Sequence, residues 1–380
     1  MDYGIACTVV VWPIIPGIGF LYAGLARKHA SLGLLWQSFS VSAVISFQWL
    51  VIFPGGFAEI STDKSGGGLG IHLPTPEPGE GDLIVVFFCV VTVQIMIGGA
   101  LEGGSLLPSL LFGFAWANAV HRYCPLACVM DYAGEGPVHV ASGFSALTYA
   151  LVLGKRQGYQ RKEHRQTLDN VAMVFLGTWF GWLCFNGGGA LNATIRPILL
   201  TCDPSCGIIG WVTAGYFRKK EKFSVAGACE GAIAGLVGIT PAAGYVAVWF
   251  AASIAFITAV LYGIGGAVGA FLVFLPGILA SESGNIPHPP FLTPGDFWLI
   301  YLRGHLGLFD GNGVQVAKQL VDILAIASYS FSVSAIILLA MNHLPGLQLR
   351  PFGEAELRGL DKHEFAGTKR RTSGDMRGTD

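Results

Sequence analysis

An imidazole in the middle of an apolar run, with a carboxylate before it, is the strongest candidate for chemistry in this sequence. His139 lies in the apolar segment 136–154, and Asp131 precedes it by eight residues. Ionisable groups inside membrane helices usually line a pathway or relay protons, and histidine suits both roles because it titrates near neutral pH. The structural alternatives are an imidazole hydrogen-bonded within a helical bundle and a carboxylate favoured by the dipole at a helix start.

The cysteines and a glycine-rich segment are weaker candidates. The pairs Cys124/Cys128 and Cys202/Cys206 have no paired histidines, so small apolar cysteines are a better interpretation than a metal site. The glycines at 263–269 lie in an apolar run with no strand before it, which favours helix packing over a nucleotide loop. No nucleophile–base pair stands out. The sequence therefore predicts no metal, no cofactor and no enzymatic activity.

The composition is that of a membrane protein. Of the 380 residues, 52% are hydrophobic and only 12% are charged, whereas a soluble domain carries about 25% charged residues. The 53 glycines suit helices that approach one another closely in lipid. A net charge of −1 gives no argument for nucleic acid as a partner.

Ten apolar segments are candidates for membrane helices, since a bilayer core requires about 20 apolar helical residues. They are 5–25, 33–54, 83–101, 106–130, 136–154, 170–190, 195–217, 223–238, 246–280 and 320–341. No basic residue precedes the first segment, so we expect a first membrane helix there and not a cleaved signal peptide.

The basic residues predict the orientation. They cluster after the first, fifth, seventh and last segments, whereas the loop 55–82 is acidic and contains a single lysine. Because basic loops remain in the cytosol, we expect the N-terminus outside and the C-terminus in the cytosol. This arrangement requires an odd number of spans.

Segment 246–280 conflicts with an odd number of spans, because counting it as one helix gives ten spans in all. Its 35 residues would form a helix about 52 Å long, too long for one span, yet two spans need roughly 40 residues and a turn. The segment has the wrong length for either arrangement.

Four stretches carry a recognisable pattern: PGIGFLYAGLARK at 16–28, DYAGEGPVH at 131–139, GWLCFNGG at 181–188 and GAIAGLVGITPAAGY at 231–245. With the tail 347–363, they resemble the ammonium transporter, methylammonium permease and Rhesus protein superfamily, and the fungal permeases above all. The matches occur in order across nearly the whole chain, so coincidence is a poor explanation.

The resemblance implies an all-α polytopic membrane protein: an eleven-helix bundle of two inverted five-helix repeats plus a final helix, assembled as a homotrimer with one pore per subunit. Residues 1–345 would form the transmembrane domain and 346–380 a cytosolic tail. Tyr245 and Gly263 are only 18 positions apart, where relatives contain a further helix. We therefore expect a deletion near 246–262, through divergence or a fault in the gene model, and ten or eleven spans.

The resemblance also assigns site residues. His139 matches the first of two pore histidines, and Asp131 matches an aspartate that holds the vestibule. A hydrophobic gate of two stacked phenylalanines corresponds to Phe88 and Phe185. Asn186 and Gly188 would serve close helix packing near that gate.

Several positions depart from the family pattern. Tyr262 occupies the second pore histidine position, and a phenol, which titrates near about 10, is a poor proton relay. Gly189 replaces a vestibule serine, the shortened loop 125–131 contains no tryptophan, and Glu230 is an unexpected carboxylate.

These matches and departures predict an integral plasma-membrane protein that transports ammonium or ammonia, with methylammonium as a further substrate. Two alternatives remain open because half of the histidine pair is absent. One is an ammonium sensor with little flux, and the other is a non-functional truncated product.

Overall fold

The fold is described here from a computed structural model, which covers residues 3–26, 30–52, 80–100, 103–121, 131–155, 171–188 without 173, 205–219, 225–265 without 247, and 311–351, with positions 198, 201 and 308. Several sequence-based expectations therefore lie outside the described residues. They concern Gly189, the loop 55–79, most of the loop 125–131 and the tail beyond 351.

Helices form every regular element within the described residues. In chain order they are α1 (Tyr3–Val11), α2 (Ile14–Leu25), α3 (Ser31–Ile52), α4 (Glu80–Ile97), α5 (Leu106–Ala119), α6 (Ala141–Leu153), α7 (Phe180–Gly188), α8 (Ser205–Lys219), α9 (Val225–Ile239), α10 (Val248–Gly265) and α11 (Gly313–His343). Short 3₁₀ turns occur at Gly98–Ala100 and Thr240–Ala242, and π-helical turns at Gly136–Val140 and Phe175–Trp179. The expectation of an all-α protein is confirmed.

Three helical segments in the described part of the chain are long and apolar enough to cross a membrane: Ala6–Leu25, Gly136–Leu153 and Gly313–His343. Shorter apolar helices include Cys206–Phe217 and Phe250–Tyr262. The segment 246–280, whose length fits neither one span nor two, contains the helix α10. The 18 residues of α10 extend about 27 Å.

The predicted first span, 5–25, agrees with the apolar segment Ala6–Leu25, although the chain breaks at Pro13 between α1 and α2, where proline has no N–H to donate. Two other predicted helix boundaries were wrong. The segment 106–130 was drawn too long, since α5 ends at Ala119 although the apolar sequence continues. The final helix begins at Gly313, before the predicted 320, because Gln315 and Gln319 lower the hydropathy there while both are buried.

The helix α6, which follows His139, is held by polar contacts with α5 and α11. The Trp116 indole N–H of α5 donates to Ser145 Oγ of α6 at 2.8 Å. The Ser334 hydroxyl of α11 donates to the same oxygen at 2.8 Å. All three side chains are buried, so these hydrogen bonds fix the position of α6 in the apolar core.

Helices α8, α9 and α10 pack against one another through small residues. A methyl group on Gly207 of α8 would overlap the backbone of Gly231 in α9, and one on Gly210 would overlap the backbone of Phe256 in α10. Such close approach is how membrane helices gain van der Waals contact without a hydrophobic driving force. In the described residues α10 therefore belongs to this three-helix group.

The chain after α11 returns to the ends of two other helices. The Arg350 guanidinium donates to the carbonyl oxygens of Leu153 at 3.1 Å and Lys155 at 3.0 Å. The Ser105 N–H, just before α5, donates to the carbonyl of Leu349 at 3.0 Å. The end of α6, the start of α5 and the end of α11 therefore lie on the same side of the bundle.

Candidate functional site

His139 lies in a π-helical turn whose start is held by Asp131. The turn spans Gly136–Val140 and leads into α6. Both oxygens of Asp131 accept backbone N–H groups, from Glu135 at 2.7 Å and from Gly136 at 2.8 Å. The carboxylate thereby satisfies donors at a helix start that have no partner in the helix itself. Wide π turns are rare and often occur at functional sites.

The His139 ring contacts two aromatic side chains of α7, one of which stacks on a phenylalanine of α4. Its face stacks on Trp182 with a centroid distance of 5.2 Å, and Phe185 approaches it edge-on at 6.0 Å. Phe185 in turn stacks on Phe88 of α4, at 4.1 Å and 25° between the rings. Phe88 and Phe185, which the resemblance pairs, are thus in direct contact beside the imidazole.

Trp182 is fixed by the turn that follows α9. Its indole N–H donates to Thr240 Oγ1 at 2.9 Å, and the Thr240 hydroxyl donates to the Leu236 carbonyl at 2.9 Å. The Pro241 carbonyl accepts the Tyr132 N–H at 3.1 Å. The segments 131–139, 181–188 and 231–245, distant in sequence, therefore meet around one imidazole.

Glu135 is a member of this site that the sequence reasoning missed. Its Oε2 atom lies 2.9 Å from His139 Nδ1, and the two side chains are 0% and 5% exposed. The signal was present, because residues four apart on a helical turn lie on the same face. Glu135 lies inside the motif at 131–139, but within that motif the resemblance assigns roles to Asp131 and His139 alone.

Asn186 and Gly188 are buried near the end of α7. The Asn186 amide donates to Thr201 Oγ1 at 3.0 Å. This hydrogen bond joins the end of α7, directly after Phe185, to the chain ahead of α8. The packing role of Asn186 and Gly188 near the aromatic pair stays a prediction.

Tyr262 has other neighbours. Its ring lies on α10, 5.5 Å from the Trp211 ring of α8, and is 38% exposed. Within the described part of the chain, the ring contacts of His139 are with Trp182 and Phe185. The structure does not bring Tyr262 and His139 together, and the assignment of Tyr262 to the second histidine position stays a prediction.

The arrangement suits the passage of a small cation or its neutral base. The stacked rings exclude bulk water, while aromatic faces attract cations and an imidazole accepts or donates a proton. No group of three metal-ligating side chains occurs among the residues that the structure describes.

A bundle of apolar helices with an imidazole beside a stacked aromatic pair is typical of a membrane transport protein or one derived from it. Residues 3–370 match the Ammonium Transporter Family, and the chain belongs to that family. It is therefore an integral membrane protein of a transporter family.

Curated relatives and solved structures agree with this membership. The chain is 36% identical to ammonium transporter MEP2 of Saccharomyces cerevisiae, covering 92% of this chain and 79% of that protein. It is 34% identical to ammonium transporter 1 of Schizosaccharomyces pombe, with 94% and 79% covered. The crystal structure of Saccharomyces cerevisiae Mep2 matches with a TM-score of 0.75 at 34% identity, over 93% of this chain and 87% of that one. A structure titled "Sensor Amt Protein" shares the fold, with a TM-score of 0.74 at 20% identity, over 96% and 97% of the two chains.

The alignment with MEP2 also bears on the short segment after Tyr245. It extends over 412 positions, more than the 380 residues of this chain. Part of MEP2 therefore has no counterpart here, and the deletion near 246–262 stays a prediction.

Proposed function

We propose that this chain transports ammonium or ammonia, with methylammonium as a further substrate, through a narrow apolar pore that passes the Phe88–Phe185 pair and His139. The observation that carries the proposal is the contact of His139 with Phe185 and Trp182, on segments that match the family motifs. The 36% identity to an ammonium transporter supports the substrate. Transport and not catalysis is the activity proposed.

The pore must lower the cost of removing water from the cation. A small cation transferred without replacement ligands into a low-dielectric region costs many kcal/mol. The face of Trp182 offers a cation–π contact, and His139 offers a nitrogen that can take the proton and leave neutral ammonia to cross the apolar section. The stacked phenylalanines keep bulk water and hydrated ions out.

The direct test is uptake of labelled methylammonium, and growth on limiting ammonium, in cells that lack their own transporters. We expect saturable uptake that unlabelled ammonium inhibits. Surface expression without uptake at any pH would contradict the transport proposal and favour the sensor or the non-functional product.

The resemblance supports further proposals on the oligomeric state of the protein and its cellular location. The chain is proposed to form a homotrimer in the plasma membrane, with residues 1–345 as the transmembrane domain and 346–380 as a cytosolic tail. The basic clusters support an outside N-terminus and a cytosolic C-terminus. The contact of Arg350 with Lys155 supports a common side for the tail and the loop after α6.

Cysteine labelling tests this topology. Engineered cysteines at Lys155 and Lys369 should react with a membrane-impermeant maleimide only after the cells are permeabilised, since both follow basic cytosolic clusters. Lys64→Cys, in the acidic loop 55–82, should react in intact cells and serves as the control. Labelling is measured relative to the parent protein, and reaction of the Lys369 site in intact cells would refute the orientation.

Replacement of a gate ring should change selectivity. Phe185→Leu keeps an apolar side chain but removes the stack on Phe88, so we expect the ammonium-to-potassium current ratio to fall about fivefold or more, the equivalent of one ring contact of about 1 kcal/mol. Phe112→Leu is the matched control, because Phe112 is equally buried and packs edge-on against Tyr149 at 5.1 Å, away from His139. Equal selectivity in both variants would argue against a gate at Phe185.

A further inference from the structure

The buried carboxylate of Glu135 has one recorded partner in the described part of the chain, the imidazole of His139. Within the described part of the chain, neither Glu135 oxygen receives a well-aligned hydrogen bond, and neither nitrogen of His139 makes one. A charged group removed from water without partners is strongly unfavourable. The only basic group recorded beside it in the described chain is the His139 imidazole, 2.9 Å away.

The nearby carboxylate of Asp131 already accepts hydrogen bonds from the backbone. Both of its oxygens accept backbone N–H groups at the helix start, which fully explains its burial. Glu135 contributes its own N–H to that cap, while its side chain faces His139. In the described part of the chain, both Glu135 oxygens lack a well-aligned hydrogen bond, so of these two carboxylates Glu135 has the larger remaining capacity to contact a cation or accept a proton.

We propose that Glu135 and His139 together form the cation- and proton-accepting site of the pore, with the carboxylate taking the part that a second histidine would otherwise play. This inference rests on the proposed transport function. It explains how the chain could retain a proton-accepting pair although Tyr262 lies against Trp211.

The proposed step conserves charge and protons. Ammonium beside a neutral His139 and an ionised Glu135 gives a site of zero net charge. An N–H bond of ammonium breaks and its proton binds His139 Nε2, while the proton on Nδ1 moves to Glu135 Oε2. Neutral ammonia then departs from a neutral imidazole and a neutral carboxylic acid, so no net charge is created in the low-dielectric interior.

Other titratable groups surround the pair and will influence its pH dependence. They are the carboxylates of Asp131 and Asp322, the latter on α11 near Gly136, the imidazole of His121 against the Pro137 backbone, and the phenols of Tyr132 and Tyr245. The test therefore depends on substitutions of Glu135 itself and not on a pH profile alone.

The first experiment compares uptake and current in wild type, Glu135→Gln, His139→Ala and the double variant. Glu135→Gln keeps the size of the side chain but cannot accept a proton, so we expect uptake to fall about 100-fold or more, the lower end of the range for a lost proton-transfer group. The double variant should be no worse than His139→Ala, since contacting residues act as a unit. Wild-type uptake, current per molecule and pH profile in a folded Glu135→Gln would overturn the proposal.

Glu230→Gln distinguishes an alternative acceptor. Glu230 of α9 lies within electrostatic range of Tyr262, so it is the carboxylate that would matter if the relay passed through α10. Loss of flux in Glu230→Gln with normal flux in Glu135→Gln would place the acceptor there and refute our assignment.

A second variant tests the inference if Glu135→Gln does not accumulate in cells. Glu135→Asp withdraws the carboxylate by one methylene and should lower uptake and shift the pH profile of uptake. An unchanged profile would contradict the proposal.

A second measurement tests the site without any transport assay. Infrared difference spectra of the purified protein should show a change in a carboxyl band when ammonium chloride is added, but not when sodium chloride is added. The Glu135→Gln variant should lack this change. A wild type that shows this band change without uptake would refute transport yet support the site, whereas no band change in wild type would refute the site.

Discussion

His139→Ala is expected to lower methylammonium uptake by about 100-fold or more, the lower range for loss of a proton-transfer group. The substitution removes the nitrogen that takes the proton and leaves Glu135 buried without its partner. It also exposes the face of Trp182 on which the imidazole stacks and removes the ring that Phe185 meets edge-on. Uptake should be measured per molecule at the cell surface, so that a fall in expression is not mistaken for a fall in rate.

The chain offers a matched control in His343, at the end of α11. Its Nδ1 atom lies 2.7 Å from the Leu339 carbonyl oxygen, and the residue is exposed. His343→Ala removes the same functional group from a position far from the aromatic cluster and should leave uptake unchanged. Equal uptake in His139→Ala and wild type would mean that the imidazole is not on the substrate pathway.

The sequence-based predictions agree best with the structure for residues that the family motifs place in a common site. His139, Phe88 and Phe185 were singled out through the family resemblance, and the structure brings their rings together. Their roles are not decided by that contact. Glu135 lies in the same motif as His139, but the resemblance assigns it no role, and only its four-residue spacing to His139 contains the physical information.

Tyr262 illustrates the opposite case. Its position was inferred from the GIGG sequence that follows it, yet the neighbours of a residue depend on the helix that carries it. In the structure that helix, α10, packs against α8 and α9, and the ring of Tyr262 lies against Trp211. A local motif does not predict this packing, because it carries no information on the helices that lie against α10.

Helix ends were predicted less well than helix existence, for a physical reason. Hydropathy reports the solvent around a segment and not its backbone hydrogen bonds. Proline at position 13 ends a helix inside an apolar run, whereas Gln315 and Gln319 extend α11 with polar side chains that bond to each other at 3.1 Å. Both cases require knowledge of hydrogen-bond partners.

Gly99→Ala should be strongly destabilising, because Gly99 lies where the turn after α4 crosses α6. A methyl group there would overlap the Ala146 carbonyl oxygen and approach the Ala146 carbonyl carbon and Cα to 2.8 Å. These are backbone atoms, so the conflict can be relieved only if α6 moves. Overpacking of this kind costs about 1–3 kcal/mol or more, and displacement of α6 would also disturb the turn that carries His139. The melting temperature of the purified protein and uptake per surface molecule should both fall.

Gly143→Ala provides the comparison that separates crowding from any general effect of losing a glycine. Gly143 lies in α6 itself, and a methyl group there meets nothing within 4 Å. Because alanine restricts the unfolded chain more than glycine, this change should be neutral or stabilising by about 0.5–1 kcal/mol. If Gly99→Ala and Gly143→Ala melt at the same temperature and transport equally well, α6 does not approach the turn at Gly98–Ala100 as closely as described. The position of His139 between Glu135, Trp182 and Phe185 depends on that close approach, so the two alanine variants test the frame of the site without altering any group proposed to act in it.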